Sequence, residues 1–270
     1  MSHRFPVVML LTSVAIVAAG CGSASVTPAA EASVRIAASP TLASPPPSAA
    51  PSLASPASAL ASQSPAASGS LAPTAFTNAV DNPWFPLTPG TTLTYQGTKD
   101  GKRAVETFKV TTATKAVAGV KCVVVDDRIS LGGVPTEKLL GYYAQDQDGN
   151  VWSFGEDSQE LDANGQVVST DGSWRAGIDS APPAFFMEAS PTVGHTFAYD
   201  YTKNDFAVLS LTAAVTVPYG SFTNALVTKE WSPLEPDVET HKFYVKGVGV
   251  VRDVAVKGPT EEFVLVKVEH

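Results

Sequence analysis

Cys21 has the setting that most narrowly prescribes a chemistry. Arg4 precedes an apolar run from Phe5 to Ala19, and Ala18-Ala19-Gly20 lead directly into the cysteine. A positive start, an apolar centre and small residues before a cysteine form the layout of a bacterial lipoprotein signal. Cleavage before Cys21 would expose that residue for acylation, with chains such as palmitate. The run spans 15 residues and contains Pro6, short of the ~20 that a helix needs to cross a bilayer. A transmembrane helix and a plain secretory peptide cut nearby are the competing readings. The lipoprotein reading predicts a protein held by lipid on the extracytoplasmic face of a cell membrane.

Other reactive side chains are sparse. Cys122 lies in Val120-Lys121-Cys122-Val123-Val124-Val125, where a lone thiol behaves as a small hydrophobe. A nucleophile would want a cation or histidine beside it and some exposure. The four histidines, His3, His195, His241 and His270, show no zinc-ligand spacing. Neither a Gly-x-Ser-x-Gly elbow nor a phosphate-binding glycine loop stands in the domain. Asp146-Gln147-Asp148-Gly149-Asn150 has alternating oxygen ligands, yet its glycine is fourth and position twelve is Asp157. A calcium loop wants glycine sixth and glutamate twelfth, and a hairpin turn explains every residue. Glu156, Asp179 and Glu188 stand near aromatic residues, but nothing fixes the spacing that glycoside hydrolysis requires. No catalytic residue, metal ligand or cofactor is expected.

Aromatic residues offer a different chemistry. Trp84 and Phe85 sit in Asn82-Pro83-Trp84-Phe85-Pro86-Leu87-Thr88-Pro89-Gly90. Trp152 and Phe154 share one strand face, Tyr143 precedes them, Trp174 follows Gly172-Ser173, and Phe186-Met187 follow two prolines. Together these eight residues are the candidate lining of an apolar pocket; ordinary core packing is the competing reading. The proline-rich arm at 82–90 cannot be an inner strand and is expected to drape over an edge or end, anchored by Trp84.

Composition sets what must position them. Residues 21–75 are almost all Ala, Ser and Pro, a disordered spacer with too little apolar bulk to fold. Residues 76–270 form one domain. Of 18 Lys+Arg and 26 Asp+Glu, only Arg4, Arg35 and Glu31 precede it, so the domain carries −9. The charges are interspersed, which excludes a basic nucleic-acid face and argues against docking onto anionic lipid heads. A monomer is expected.

The domain reads as β throughout. Strands are expected at 91–97, 103–112, 120–130, 139–146, 151–156 and 167–169, then at 209–219, 225–231, 239–244, 249–256 and 262–268. Asp100-Gly101, Asp148-Gly149 and Asn164-Gly165 supply hairpin turns. Leu209, Leu211, Ala213, Val215, Val217 and Tyr219 alternate with mostly polar neighbours, predicting one apolar face. A short helix is expected at 181–188. Ten or eleven strands joined by short turns pair antiparallel, and so long a sheet must curl. The expected fold is one antiparallel curled sheet or half-barrel.

Several strings carry a resemblance. They are Asn82-Pro83-Trp84-Phe85-Pro86-Leu87 with Pro89-Gly90, then Tyr143-Ala144-Gln145-Asp146, Gly149-Asn150-Val151-Trp152 and Phe154-Gly155-Glu156. Gly172-Ser173-Trp174, Pro233-Leu234-Glu235-Pro236 and Gly247-Val248-Gly249-Val250-Val251 follow. The domain resembles a family of exported bacterial proteins of uncharacterised function, many actinobacterial. Its closing Gly-Val-Gly-Val-Val pattern also resembles the last strands of lipoprotein-carrier-like half-barrels, which curl one sheet around an apolar cavity. The family likeness brings an exported protein but no established activity, and fold analogy alone does not supply one; the expected function is non-enzymatic binding of an apolar or amphipathic envelope molecule. A structural or interaction module on a stalk is the alternative, and an unrecognised hydrolase the third reading.

Overall fold

Turns rich in glycine and aspartate cut the chain into strands, each pairing antiparallel with its neighbour. The structure is a computed structural model that describes residues 75–199 and 204–270, all within one compact unit. The signal, Cys21 and nearly all of the spacer lie outside the described residues. The first half supplies β1 (Thr92–Lys99), β2 (Lys102–Val117), β3 (Val120–Leu131), β4 (Val134–Gln145) and β5 (Val151–Leu161). Four short strands follow: β6 (Val167–Ser169), β7 (Trp174–Arg175), β8 (Ala184–Met187) and β9 (Thr196–Tyr199). The last five are β10 (Asn204–Val217), β11 (Gly220–Ser232), β12 (Glu235–Val245), β13 (Gly249–Lys257) and β14 (Glu261–Glu269).

All fourteen strands belong to one sheet. Its order is β6-β5-β4-β3-β2-β1-β14-β13-β12-β11-β10-β9, with β7 and β8 also paired to β5. The first and last strands are therefore neighbours in the middle, in register from Thr92↔Glu269 to Lys99↔Glu261. The β1–β2 turn places Asp100 at φ 52° and Gly101 at φ 72°. Positive φ at both central residues gives the turn whose twist matches the flanking strands.

The expected helix at 181–188 is instead a loop leading into β8. Ala184, Phe185 and Met187 pair with Ser153, Trp152 and Val151, so their backbone groups join a ladder while Phe186 and Met187 enter the core. Three of the strands beyond the expected count, β7, β8 and β9, have two to four residues, too few to display a period. The alternating face of β10 is buried only in part. Val215 and Val217 are covered, but Leu209 is 42% exposed, as is Tyr219 in the turn after the strand. Register shifts at Val208/Ser210, Ser210/Ala213 and Ala213/Val215 turn the strand as it runs.

The sheet is not closed by hydrogen bonds. It curls until its two ends meet through side chains. Phe185 of β8 stands 5.0 Å from Phe197 of β9, and the rings cross at 73°. Inside the curl one continuous cluster of apolar side chains runs from Val80 to Leu265.

Candidate functional site

The Asn-Pro-Trp-Phe-Pro arm is built by its asparagine. Asn82 Oδ1 accepts from the Trp84 amide at 2.9 Å, folding the chain back on itself. Its Nδ2 donates to Gly149 O (2.9 Å) and Glu188 O (3.1 Å). Gln145 Oε1 accepts from the amides of Asp81 and Asn82, and Gln145 Nε2 donates to Asp81 Oδ1. Pro83 and Pro86 bring no amide that needs a partner. The arm thus crosses from the β4–β5 turn to the β12–β13 turn, where the Gly247 amide donates to Pro83 O at 2.7 Å.

The eight candidate lining residues are all buried, and the structure brings many of them together. Phe85 packs against Phe186 (4.5 Å between centroids), Tyr143 (5.5 Å) and Phe108 (6.0 Å). Tyr143 also meets Phe186 edge-on. Trp84 lies under the Lys246 ammonium at 4.9 Å, a contact between cation and ring face. Phe154 packs against Phe76, and Met187 closes the ladder opposite Val151. Trp174 sits elsewhere, paired with Glu156 on the outer flank of β5.

Trp152 begins a second aromatic row. Its ring meets Phe185 at 5.0 Å, Phe185 meets Phe197, and Phe197 stacks on Phe206 of β10 at 5.4 Å. The row joins the two ends of the sheet. At its mouth His195 Nδ1 lies 2.6 Å from Glu188 Oε1, with a third of the imidazole exposed. The suspected calcium turn is engaged in its own hydrogen bonds. Asp146 accepts from Asn150 through both oxygens and from Trp152 Nε1 at 2.8 Å. Among the described residues no three His, Cys, Asp or Glu side chains are placed to hold a metal ion. Cys122 is fully buried, and burial pushes its thiol up to about 12.

A belt of buried charge lies on the inner face and was missed by sequence reasoning. Lys242 of β12 donates to Glu230 of β11 at 2.7 Å and lies 3.8 Å from Asp253 of β13. Glu106 of β2, Asp127 of β3 and Glu156 of β5 are buried as well. Burial opposes the charge on Lys242, but Glu230 and Asp253 hold its pKa above the ordinary lysine value. Burial lifts Asp253 to about 8 despite Lys242, with help from Glu230 and Glu261. Burial and then Asp157 raise Glu156 well above the carboxylate range. The signal was present in the strand period. Glu106 shares parity with Ala104 and Phe108, and Asp127 with Val125 and Ile129, all buried.

Comparison with known proteins adds little. No family model matches the chain, and no curated protein matches it. Two solved structures are similar in outline. One, from Bacteroides fragilis, is described as a candidate exported protein with a YmcC-like fold. It is 15% identical, with a TM-score of 0.38 over 69% of this chain and 99% of that one. The other, described as a candidate lipoprotein, comes from Parabacteroides distasonis. It is 14% identical, with a TM-score of 0.35 over 72% of this chain and all of that one. Neither likeness is close enough to carry fold or function across.

Proposed function

We propose that this protein is an extracytoplasmic lipoprotein, anchored through Cys21, whose β domain binds an apolar or amphipathic envelope molecule. The observation that carries the binding reading is the seam between β8 and β9. There the sheet is joined by rings rather than by a hydrogen-bonded ladder, so parting its ends costs side-chain contacts only. The row Trp152, Phe185, Phe197 and Phe206 offers an apolar surface to a hydrocarbon body. His195 and Glu188 beside it offer a polar partner to a head group.

The interaction-module reading draws support from the way Phe85, Tyr143 and Phe186 fill space against one another. One experiment separates the two. A fluorescent fatty acid is titrated into the wild type and into Phe185→Ala and Phe197→Ala, and the native protein is weighed with any co-purified lipid. Saturable probe binding that changes at least tenfold in the variants supports the seam. No bound lipid and no saturable binding leaves the interaction module. The anchor is tested apart. Cys21→Ser should leave the membrane fraction or keep its uncut signal, and processing and retention like the wild type would refute lipidation.

A further inference from the structure

The interior holds more carboxylates than its two buried lysines, Lys99 and Lys242, can serve. Glu106 is 3% exposed and Asp127 6%. Phe108 stands opposite Asp127 in the β2–β3 ladder, so Glu106, two residues away, is the diagonal neighbour of Asp127 on the same face. Lys242 is committed to Glu230. Asp127 Oδ1 is buried without a hydrogen-bond partner, and the carboxylate's hydrogen bonds come from Glu106 and the Arg128 amide, with no cation among them. Charged and titratable groups face the pair from several strands. Tyr95, Tyr143, Lys242 and Asp253 act from β1, β4, β12 and β13. Asp126 and Glu137 act on Asp127 from β3 and β4, and these two are bound by Arg128 and Lys99. None of the six stands as a free cation for the pair.

We propose that Glu106 and Asp127 form a buried proton-binding site that holds one proton between them, and that losing it loosens the β2–β3 side of the sheet. Two adjacent carboxylates in a low-dielectric interior cannot both ionise without strong repulsion. The proton sits on Glu106, which donates to the Asp127 carboxylate. It leaves to solvent base as pH rises, and two negative charges remain. The titration of each group agrees. Burial, then the charges of Asp127 and Asp253, raise Glu106 well above the carboxylate range, against a smaller opposing effect of Lys242. Burial raises Asp127 to about 7, although the hydrogen bond from Glu106 lowers it.

Both folded values exceed the unfolded carboxylate value of about 4. The folded state therefore binds the extra proton, and its stabilisation is complete below pH ~4. The proton is shared, so that contribution is lost as pH rises through the folded range of the pair, which for the Asp127 partner lies at about 7.

The test is the urea midpoint of the soluble domain from about pH 5 to about pH 9. The wild-type midpoint is expected to fall as pH rises. Glu106→Gln puts an amide N–H permanently where the proton was, and its slope should be shallower by one proton. Asp127→Asn should act likewise, while Asp253 and Glu156 leave a residual slope in both. Carbon-13-edited infrared spectra of the wild type should show a protonated carboxyl near neutral pH that fades on raising the pH. That readout decides the matter even where a variant fails to fold. A wild type with no protonated carboxyl, or slopes unchanged in both variants, overturns the proposal.

Discussion

Phe185 and Phe197 lie twelve residues apart in sequence and at opposite ends of the sheet, yet their rings touch edge to face at 5.0 Å. The curl of the whole sheet is completed by this contact. Trp152 supports it from one side and Phe206 from the other. Any change in the curvature of the sheet must be felt here first, since the ladder elsewhere is continuous.

Trp152 should therefore be costly to remove. It is 7% exposed and its Nε1 donates to Asp146. Trp152→Ala is expected to destabilise the domain by about 3–5 kcal/mol, and Trp152→Phe by about 1–2 kcal/mol, because it keeps a ring but removes one of the hydrogen bonds to Asp146, which Asn150 still serves. Urea denaturation of the two variants checks the order. Equal, small losses would show that the indole is not structural, and would move weight to a ligand-lining role.

The arm and the spacer should separate cleanly on truncation. Removing residues 22–73 is expected to leave the thermal midpoint unchanged, because Ala, Ser and Pro bury little apolar surface. Starting instead at Thr91 removes Val80, Trp84, Phe85 and Leu87, all at most 5% exposed. Four buried side chains at roughly 1.5–3 kcal/mol each amount to about 6–12 kcal/mol, comparable with a typical total stability of 5–15 kcal/mol, so no cooperative transition should remain. Calorimetry of both truncations measures this.

Two glycines separate crowding from conformation. A Cβ on Gly97 would stand 1.7 Å from Glu262 O, in the β1–β14 ladder. Gly165 has φ +77° with nothing near its Cβ position. Gly165→Ala should cost about 1–2 kcal/mol from the left-handed backbone alone. Gly97→Ala should cost about 4 kcal/mol or more, since backbone must move. If the two variants melt alike, the central ladder is looser than its register implies.

Lys242 is expected to matter through what it neutralises. Lys242→Met leaves Glu230 and Asp253 buried without their cation and should cost about 3–5 kcal/mol. The double change Lys242→Met with Glu230→Gln should recover part of that loss, because one orphaned charge is gone. A double-mutant cycle in urea gives the coupling. Additive losses would mean that the 2.7 Å contact contributes nothing.

The strands were legible because turn chemistry and alternation agree locally. Val120–Leu131 and Gly249–Lys257 fall within a residue of expectation. The arm was legible too, since three prolines forbid an inner strand there. Lys242 was not. On β12 its parity partners Thr240 and Tyr244 are buried, but Phe243 on the other parity is apolar as well, so the period does not say which face turns inward. The pairing of Lys242 with Asp253 depends on register between strands, and no local pattern encodes that. The seam was hidden for the same reason. Phe185 and Phe197 sit in strands of four residues, and only the curvature of the other strands brings them together.

The central position of β14 has a consequence for the order of assembly. A ribosome releases the chain from its N-terminus. Arm, β1 and β2 can form early, yet the inner edge of β1 waits for Glu261–Glu269, the last of the described strands. Until those nine residues arrive, the molecule is two separate meanders with exposed edges, and each is open to pairing with the wrong chain. Closure across the longest sequence separation in the sheet is then the slow step. A chain shortened by its final strand should accumulate as aggregate or be degraded rather than persist as a smaller domain.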